Sequence, residues 1–278
     1  MNIKIGRCGG ICNTLFGWAG VYEVARINNA DVVTDLPEME HITLPRTTFQ
    51  TNFDNYINFN SNDPNVVRNN FKLNPNFNYN ATCLWGYNRR LSWCNPEEDC
   101  LFPIQKLKLK DDILDTKIKD VCQNLVGVHI RRFDYQQTNG RFIPSSGYAI
   151  PDKWYISIME QIVERFPNIE FYLSSNGTQQ ELQIYYDNFK IINNKNINFN
   201  NDKPSNPYDP KTLTDFIDLF ALSKCKLIIG SVSTWSMISF ILNNTPVIYP
   251  ETSDQNLTSL RQYKFTPREK LVNINNIL

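Results

Sequence analysis

An α/β fold, with a doubly wound and mostly parallel sheet in the C-terminal half, is what the hydrophobic pattern of this chain predicts. From residue 125 to residue 249 short apolar runs alternate with stretches of helical periodicity, giving β-α-β-α-β-α-β-α-β. The run "LVGVHI" is apolar nearly throughout, as a strand covered on both faces is. The chain also opens β-turn-α-β, so two Rossmann-like halves facing a cleft fit its 278 residues. The expected division is an N-terminal α/β half, residues 1–122, with an irregular aromatic-rich insertion, and a C-terminal half, residues 123–278.

The elements follow in order. Ile3 to Ile5 reads as an opening strand, "RCGGICN" as a glycine turn, and residues 14–27 as a helix with Leu15, Val21, Tyr22 and Ala25 on one face. "ADVVTDL" is the second strand. Residues 40–105 are rich in Asn, Phe, Tyr, Trp and Pro without clean periodicity, which suggests short strands, turns and aromatic clusters and no particular topology. "KLKDDILDTKIKDVCQN" has helical character, with Ile113, Ile118 and Val121 roughly on one face. After "LVGVHI" a polar loop runs from Phe133 to Ile150. Pro151 opens the helix "PDKWYISIMEQIVERF", proline being favoured at a first helical position. "IEFYLSS" is a strand, "GTQQELQIYYDNF" a helix and "KII" a short strand. Asp209 and Pro210 form an N-cap and first-position pair for "KTLTDFIDLFALSKC". "KLIIG" is a strand, "STWSMISFILN" a helix and "PVIYP" the last strand.

Composition narrows the classes of function. Lys+Arg and Asp+Glu are both 28, so any recognition of an anion must be local, and no general nucleic-acid surface is expected. No charged leader with an apolar core opens the chain and no run approaches a membrane span, so a soluble, cytoplasmic protein is expected. Of seven cysteines, an odd number, none forms a Cys-x-x-Cys, and the only histidines are His41 and His129. A zinc site has little to draw on. Cys83, Cys94 and Cys100 could hold a disulfide in an oxidising compartment; free thiols suit a reducing one. The glycosylation-like triplets at Asn80, Asn176, Asn243 and Asn256 are chance matches in an Asn-rich chain.

In a parallel α/β sheet ligands bind at the carboxyl ends of the strands. That places "HIRRFD", "SSNG" and "GSVSTWS" near one another. Gly230, Ser231, Ser233 and Thr234 lie where a strand turns into a helix, whose unpaired N–H groups and partial positive charge suit phosphate. Ser233 can equally be read as a plain helix cap. Arg131 and Arg132 are adjacent on an extended segment, so they point to opposite sides, with His129 on the side of Arg131. One arginine fork can then face a diphosphate while the other pairs with a carboxylate such as Asp134. A surface ion pair at a strand end is the plainer reading of an isolated Arg-Arg. The aromatics between Phe49 and Trp93 suit either stacking on sugars or packing an insertion.

"VHIRRFDY" resembles the His-x-Arg-Arg-x-Asp motif of the GDP-fucose-dependent fucosyltransferases. "CGGICNTLFGWAGVYEVA" is similar to the family's opening Gly-Gly-x-x-Asn turn and helix, and "DLFALSKCKLIIGSVSTWS" to its Asp-Leu-aromatic segment and Ser-Ser-Phe-Ser run. The three occur in the family's order, over about the first thirty residues and, discontinuously, residues 125–245. The outline is nearest the α1,2-fucosyltransferases (glycosyltransferase family 11-like), which have "RRGDY" where this chain has "RRFDY". Departures are Phe133 in place of Gly, Thr234-Trp235 in place of Ser-Phe, and a Gly9-Gly10-Ile11-Cys12-Asn13 turn lacking the second glycine and the following Gln.

The resemblance implies a GT-B-like fold with the nucleotide sugar in the C-terminal half. It implies an inverting, metal-independent transfer of fucose from GDP-fucose to a glycan acceptor hydroxyl. No cofactor or metal is expected, and no Asp-x-Asp is present. By resemblance Arg131 binds the β-phosphate and stabilises departing GDP, and His129 contacts the nucleotide near ribose or base. Asp218 reads the guanine edge, Ser233 and Thr234 hold phosphate, and Trp235 packs near the nucleotide or sugar. Gly9, Gly10 and Asn13 close the site from the N-terminal half. Arg132 belongs to the binding set and is expected to pair with Asp134. Asp134 is the nearest carboxylate for a general base, with Glu23, Asp35 and Glu38 as further candidates. Two other readings stand beside this one: a GT-B transferase of another nucleotide sugar, and a non-catalytic glycan- or nucleotide-binding member of the fold.

Overall fold

The computed structural model describes residues 2–6, 10–50, 56–59, 101–132, 135–138, 141–144, 150, 152–194, 210–231 and 233–248. The chain divides into two compact units; of the described residues, those up to Asp112 and the stretch 210–213 belong to the first and the others to the second. Among the described residues no helix is long and apolar enough to cross a membrane.

The first unit is built on a four-stranded parallel sheet. Strands β1 (Asn2–Ile5), β2 (Asp31–Thr34), β4 (Thr47–Phe49) and β5 (Tyr56–Phe59) lie in the order β4-β2-β1-β5. β3 (Ile42–Thr43) pairs antiparallel with β6 (Lys108–Leu109), and a short 3-10 turn covers Pro37–His41. Helix α1 (Ile11–Ile27) links β1 to β2, and α2 (Leu101–Gln105) packs against it. One apolar face was the expectation for α1; instead every residue from Thr14 to Ala25 is buried. Small residues (Ala19, Gly20, Ala25) and apolar ones surround the axis, so neighbours approach from several sides. Trp18 reaches β4, its Nε1 donating to Thr47 Oγ1 over 2.8 Å.

The second unit holds a five-stranded sheet in which every pairing is parallel. Its strands are β7 (Val126–Ile130), β10 (Phe171–Ser175), β11 (Ile191–Ile192), β12 (Leu227–Ile229) and β13 (Val247–Ile248), in the order β11-β10-β7-β12-β13. The helices are α3 (Asp112–Cys122), α4 (Asp152–Arg165), α5 (Gln179–Asn188), α6 (Pro210–Lys224) and α7 (Thr234–Asn243). Every residue of β7 is buried, as its unbroken apolar run predicts for a central strand. Val126, Val128 and Ile130 pack with Tyr155, Met159 and Ile162 of α4 and with Leu182 and Tyr185 of α5. The alternate residues face α6 and α7: a Cβ added at Gly127 would lie 2.9 Å from Leu222 Cδ2 and 3.3 Å from Cys225 Sγ. Glycine at this position is what lets α6 lie so close to the strand.

Two expectations need correction. Ile113 is 71% exposed whereas Ile118 is fully buried. Five positions turn a helix well past the spacing of three or four that keeps residues on one face. The polar stretch after β7 contains an antiparallel pair, β8 (Tyr135–Thr138) with β9 (Arg141–Pro144). The signal was present: Asn139-Gly140, a strong hairpin dipeptide, lies between them. Cys12, Cys122 and Cys225 are buried and form no disulfide among the described residues. Cys83, Cys94, Cys100, Asn80, Asn256 and the sequence 60–100 lie outside the described residues.

Candidate nucleotide-sugar site

The strand order locates the site. β7 is the first of the five strands in chain order; the second and third lie on one side of it and the fourth and fifth on the other. The winding direction therefore reverses between β7 and β12, and a crevice at the carboxyl ends of those two strands is where such sheets take ligands. Arg131 directly follows β7, and Ser233 caps the helix that follows β12.

Side-chain alternation along β7 continues through the two arginines. Arg131 Nη1 donates to Ser233 Oγ over 3.0 Å, on the side of α6 and α7. Arg132 goes to the side of α4 and α5, where its Nη2 meets Asp152 Oδ1. Tyr185 donates to the same carboxylate oxygen at 2.5 Å. The expected carboxylate partner of Arg132 was Asp134, which lies outside the described residues; Asp152, at the start of α4, is the partner found. Burial works against the Arg132 charge, but the bond and charge of Asp152 outweigh it and raise its pKa. The backbone N–H of Arg132 donates to Asn176 Oδ1 at 2.7 Å, and a Cβ at Gly177 would fall 2.8 Å from Arg132 Cγ. "SSNG" thus braces Arg132.

Ser233 is the helix cap that one of its sequence readings expects, and its oxygen has a second partner. Oγ accepts the Trp235 N–H at 3.2 Å as a helix cap and also takes the Arg131 guanidinium. Thr234 is the first residue of α7 and is half-buried. Trp235 stacks on His129 with centroids 6.2 Å apart and planes at 29°. Its Nε1 is buried without a hydrogen-bond partner among the described residues.

His129 is 6% exposed, and its Nδ1 lies 2.7 Å from Ser236 Oγ and 2.8 Å from Ser231 Oγ. Burial first and the Arg131 charge second lower its pKa to about 3, so the ring is neutral. Across β10, Ser174 is the register partner of His129. Ser174 Oγ lies 3.4 Å from Asp218 Oδ2, and Tyr172 donates to Oδ1 at 2.6 Å. Burial raises the Asp218 pKa to about 7 against the lowering effect of the Tyr172 bond. His129, Arg131, Ser233 and Trp235 are therefore brought together, with Asp218 one strand away on the same sheet face.

The remaining candidates are in the first unit or undescribed. Gly10 caps α1 with its carbonyl accepting Thr14 N–H and Oγ1 at 3.0 and 3.2 Å, and Asn13 sits half-buried in the first turn. Glu23 is gripped by Arg26 through two 2.7 Å bonds, and Asp35 is ion-paired with Lys4 at 2.7 Å. Gly9, Phe133 and Asp134 lie outside the described residues, as does the Glu38 side chain. Among the described residues no three His, Cys, Asp or Glu groups gather as a metal cluster would require. Sequence reasoning missed Asp152 and Ser236. Ser236 carried a signal, a hydroxyl inside an apolar helix that must find a partner when buried.

No family model and no curated protein matches the sequence. Among solved structures, POFUT1 in complex with GDP superposes with a TM-score of 0.51 at 10% identity, over 89% of this chain and 97% of that one. The fucosyltransferase NodZ from Bradyrhizobium gives 0.48 at 12% identity, over 91% and 95%. NodZ α-1,6-fucosyltransferase soaked with GDP-fucose gives 0.47 at 11%, over 90% and 95%. At such identities likeness speaks for architecture: the chain is an α/β protein of GT-B-like fold, with a parallel five-stranded sheet in its second unit.

Proposed function

We propose that this chain is a fucosyltransferase that moves fucose from GDP-fucose to a glycan hydroxyl, inverting the configuration and using no metal. The observation that carries the reading is the Arg131–Ser233 contact at the reversal point of the sheet, beside a neutral His129. A fixed cation next to a helix start suits a diphosphate. In the proposed reaction the acceptor oxygen bonds to fucose C1 as the C1–O bond to GDP breaks, and the acceptor proton leaves to a base. Charge develops on the departing β-phosphate, where Arg131 stabilises it. Trp235 packs near the nucleotide or sugar, Ser233 and Thr234 bind phosphate, and Asp218 reads the base. Gly9, Gly10 and Asn13 serve from the first unit, and Asp134 is the proposed base. The α1,2 linkage follows the resemblance of "RRFDY".

A GDP-release assay with GDP-fucose tests this against galactose-terminated, N-acetylglucosamine-terminated and peptide acceptors. Acceptor-dependent release with galactose-terminated glycans is the expected result. Thermal shift separates nucleotides: GDP present at about 100 times its Kd stabilises by roughly 2.7 kcal/mol, and UDP leaves the melting point unchanged. Stabilisation by UDP alone would point to another nucleotide sugar; binding of GDP-fucose with no release on any acceptor would point to a binding module.

A further inference from the structure

We propose that the Ser231–Ser236 hydroxyl pair is a positioning device that holds His129 as the Nε2–H tautomer, so that the imidazole offers the site an uncharged hydrogen-bond donor. Nothing in the assigned set gives Ser236 a role.

The argument is a count of protons in a closed space. Ser231 and Ser236 are 3% and 0% exposed, and both hydroxyl oxygens lie within 2.8 Å of His129 Nδ1. Ser236 Oγ already accepts the Ser231 backbone N–H at 3.0 Å, and the two hydroxyls are 3.4 Å apart. If Nδ1 is unprotonated, the cluster has three donors, the Ser231 N–H and two O–H groups. It then also has three acceptor atoms, two oxygens and Nδ1. If Nδ1 carries the proton, four donors meet two oxygens, and since the two hydroxyls cannot donate to each other at once, one hydroxyl proton is left without an acceptor within the cluster. A buried unsatisfied donor costs about 1–3 kcal/mol, enough to settle a tautomer equilibrium. The charged ring, with both nitrogens protonated, is excluded by burial and by Arg131 two residues on.

The proton therefore sits on Nε2, which makes no hydrogen bond among the described residues. Stacking on Trp235 holds the ring plane. An anionic ligand meets the Arg131 fork and a neutral N–H together, and the second does not titrate away near neutral pH. Use of that donor toward a nucleoside diphosphate rests on the proposed function; the tautomer does not.

The chain has only two histidines, which makes the test direct. In the full chain labelled with 15N-histidine, long-range 1H–15N correlation distinguishes a protonated from an unprotonated ring nitrogen. His41→Gln and His129→Gln each assign the pair that remains. The expected spectrum has Nδ1 of His129 unprotonated and Nε2 protonated from pH 5 to 8. In Ser231→Ala/Ser236→Ala the Nδ1–H form should appear, and GDP affinity by calorimetry should fall about tenfold, the worth of one hydrogen bond. Ser236→Thr, which keeps the hydroxyl, should retain the wild-type pattern. A wild-type spectrum with Nδ1 protonated overturns the proposal, and it needs no variant to fold. An unchanged tautomer and unchanged affinity in the double variant overturn it too. If wild type shows Nε2–H but does not bind GDP, the fucosyltransferase reading falls and the tautomer stands.

Discussion

Arg131 Nη1 donates to Ser233 Oγ across 3.0 Å, tying the end of β7 to the start of α7. Ser233 Oγ also caps α7 through the Trp235 N–H, so one oxygen fixes both the cation and the helix start. Arg131→Ala should lower kcat/KM for GDP-fucose by about 10²–10³-fold, the usual loss for one transition-state donor. Arg131→Lys should recover only part, because a point charge cannot hold Ser233 and a phosphate in one fork. Steady-state GDP release checks both, and full activity in Arg131→Ala would sink the assignment.

Arg132 works differently. Its side chain is 11% exposed and is held by Asp152, which also accepts from Tyr185. Asp152→Ala should cost about 1–3 kcal/mol of stability, because it leaves a largely buried guanidinium without its acceptor. GDP affinity should stay within about twofold of wild type, since in the proposed reaction it is Arg131 that meets the diphosphate. Urea unfolding and calorimetry read the two effects separately. A loss of affinity as large as that of Arg131→Ala would show that the arginines do not divide their work.

How far these roles were legible depends on the range of the signal. Strand alternation is local, so the opposite headings of Arg131 and Arg132 could be read from "HIRRFD". The helix start at Ser233 was equally local. Strand order is not local: only the sheet shows that β7 and β12 are neighbours and thus that Arg131 meets Ser233. Asp152 was invisible for the same reason, since it lies twenty positions on and arrives through the packing of α4. The all-round burial of α1 escaped periodicity because its small and large apolar residues surround the axis and present no single stripe to count.

Acid should weaken the protein through His129. Its pKa is about 3 in the fold against an ordinary 6.5, so between those values the unfolded chain binds more protons. Stability is then lost as pH falls from about 6.5 toward 3, with a limiting slope of about 1.4 kcal/mol per pH unit for one proton. Asp218 has the opposite sign. Its pKa is about 7 against an ordinary 3.8, so the fold binds more protons and loses stability as pH rises through that window. Between about pH 3.8 and 6.5 the two slopes oppose each other, so urea midpoints from pH 4 to 7 should rise toward acid in His129→Gln, where only the Asp218 trend is left, and fall more steeply toward acid in Asp218→Asn than in wild type. Parallel curves for His129→Gln and wild type would mean that the ring is not held neutral by burial.

Gly127 should tolerate no side chain, although it lies in a strand whose other residues are large. Its register partners are Tyr172 and Ile228, so it sits at the middle of the sheet under α6. An added methyl would meet Leu222 Cδ2 at 2.9 Å and Cys225 Sγ at 3.3 Å. The Leu222 contact is the end of a flexible side chain, but Leu222 is fully buried and has little room to turn. Gly127→Ala should therefore destabilise by about 1–3 kcal/mol through overpacking. Trimming the obstacle in Gly127→Ala/Leu222→Ala should cost less than the sum of the single changes, because the two sites share one space. Because Arg131 directly follows β7, a lifted α6 would also disturb it, and GDP affinity should fall with stability in Gly127→Ala. A Gly127→Ala protein that melts with wild type would show that α6 does not lie this close to β7.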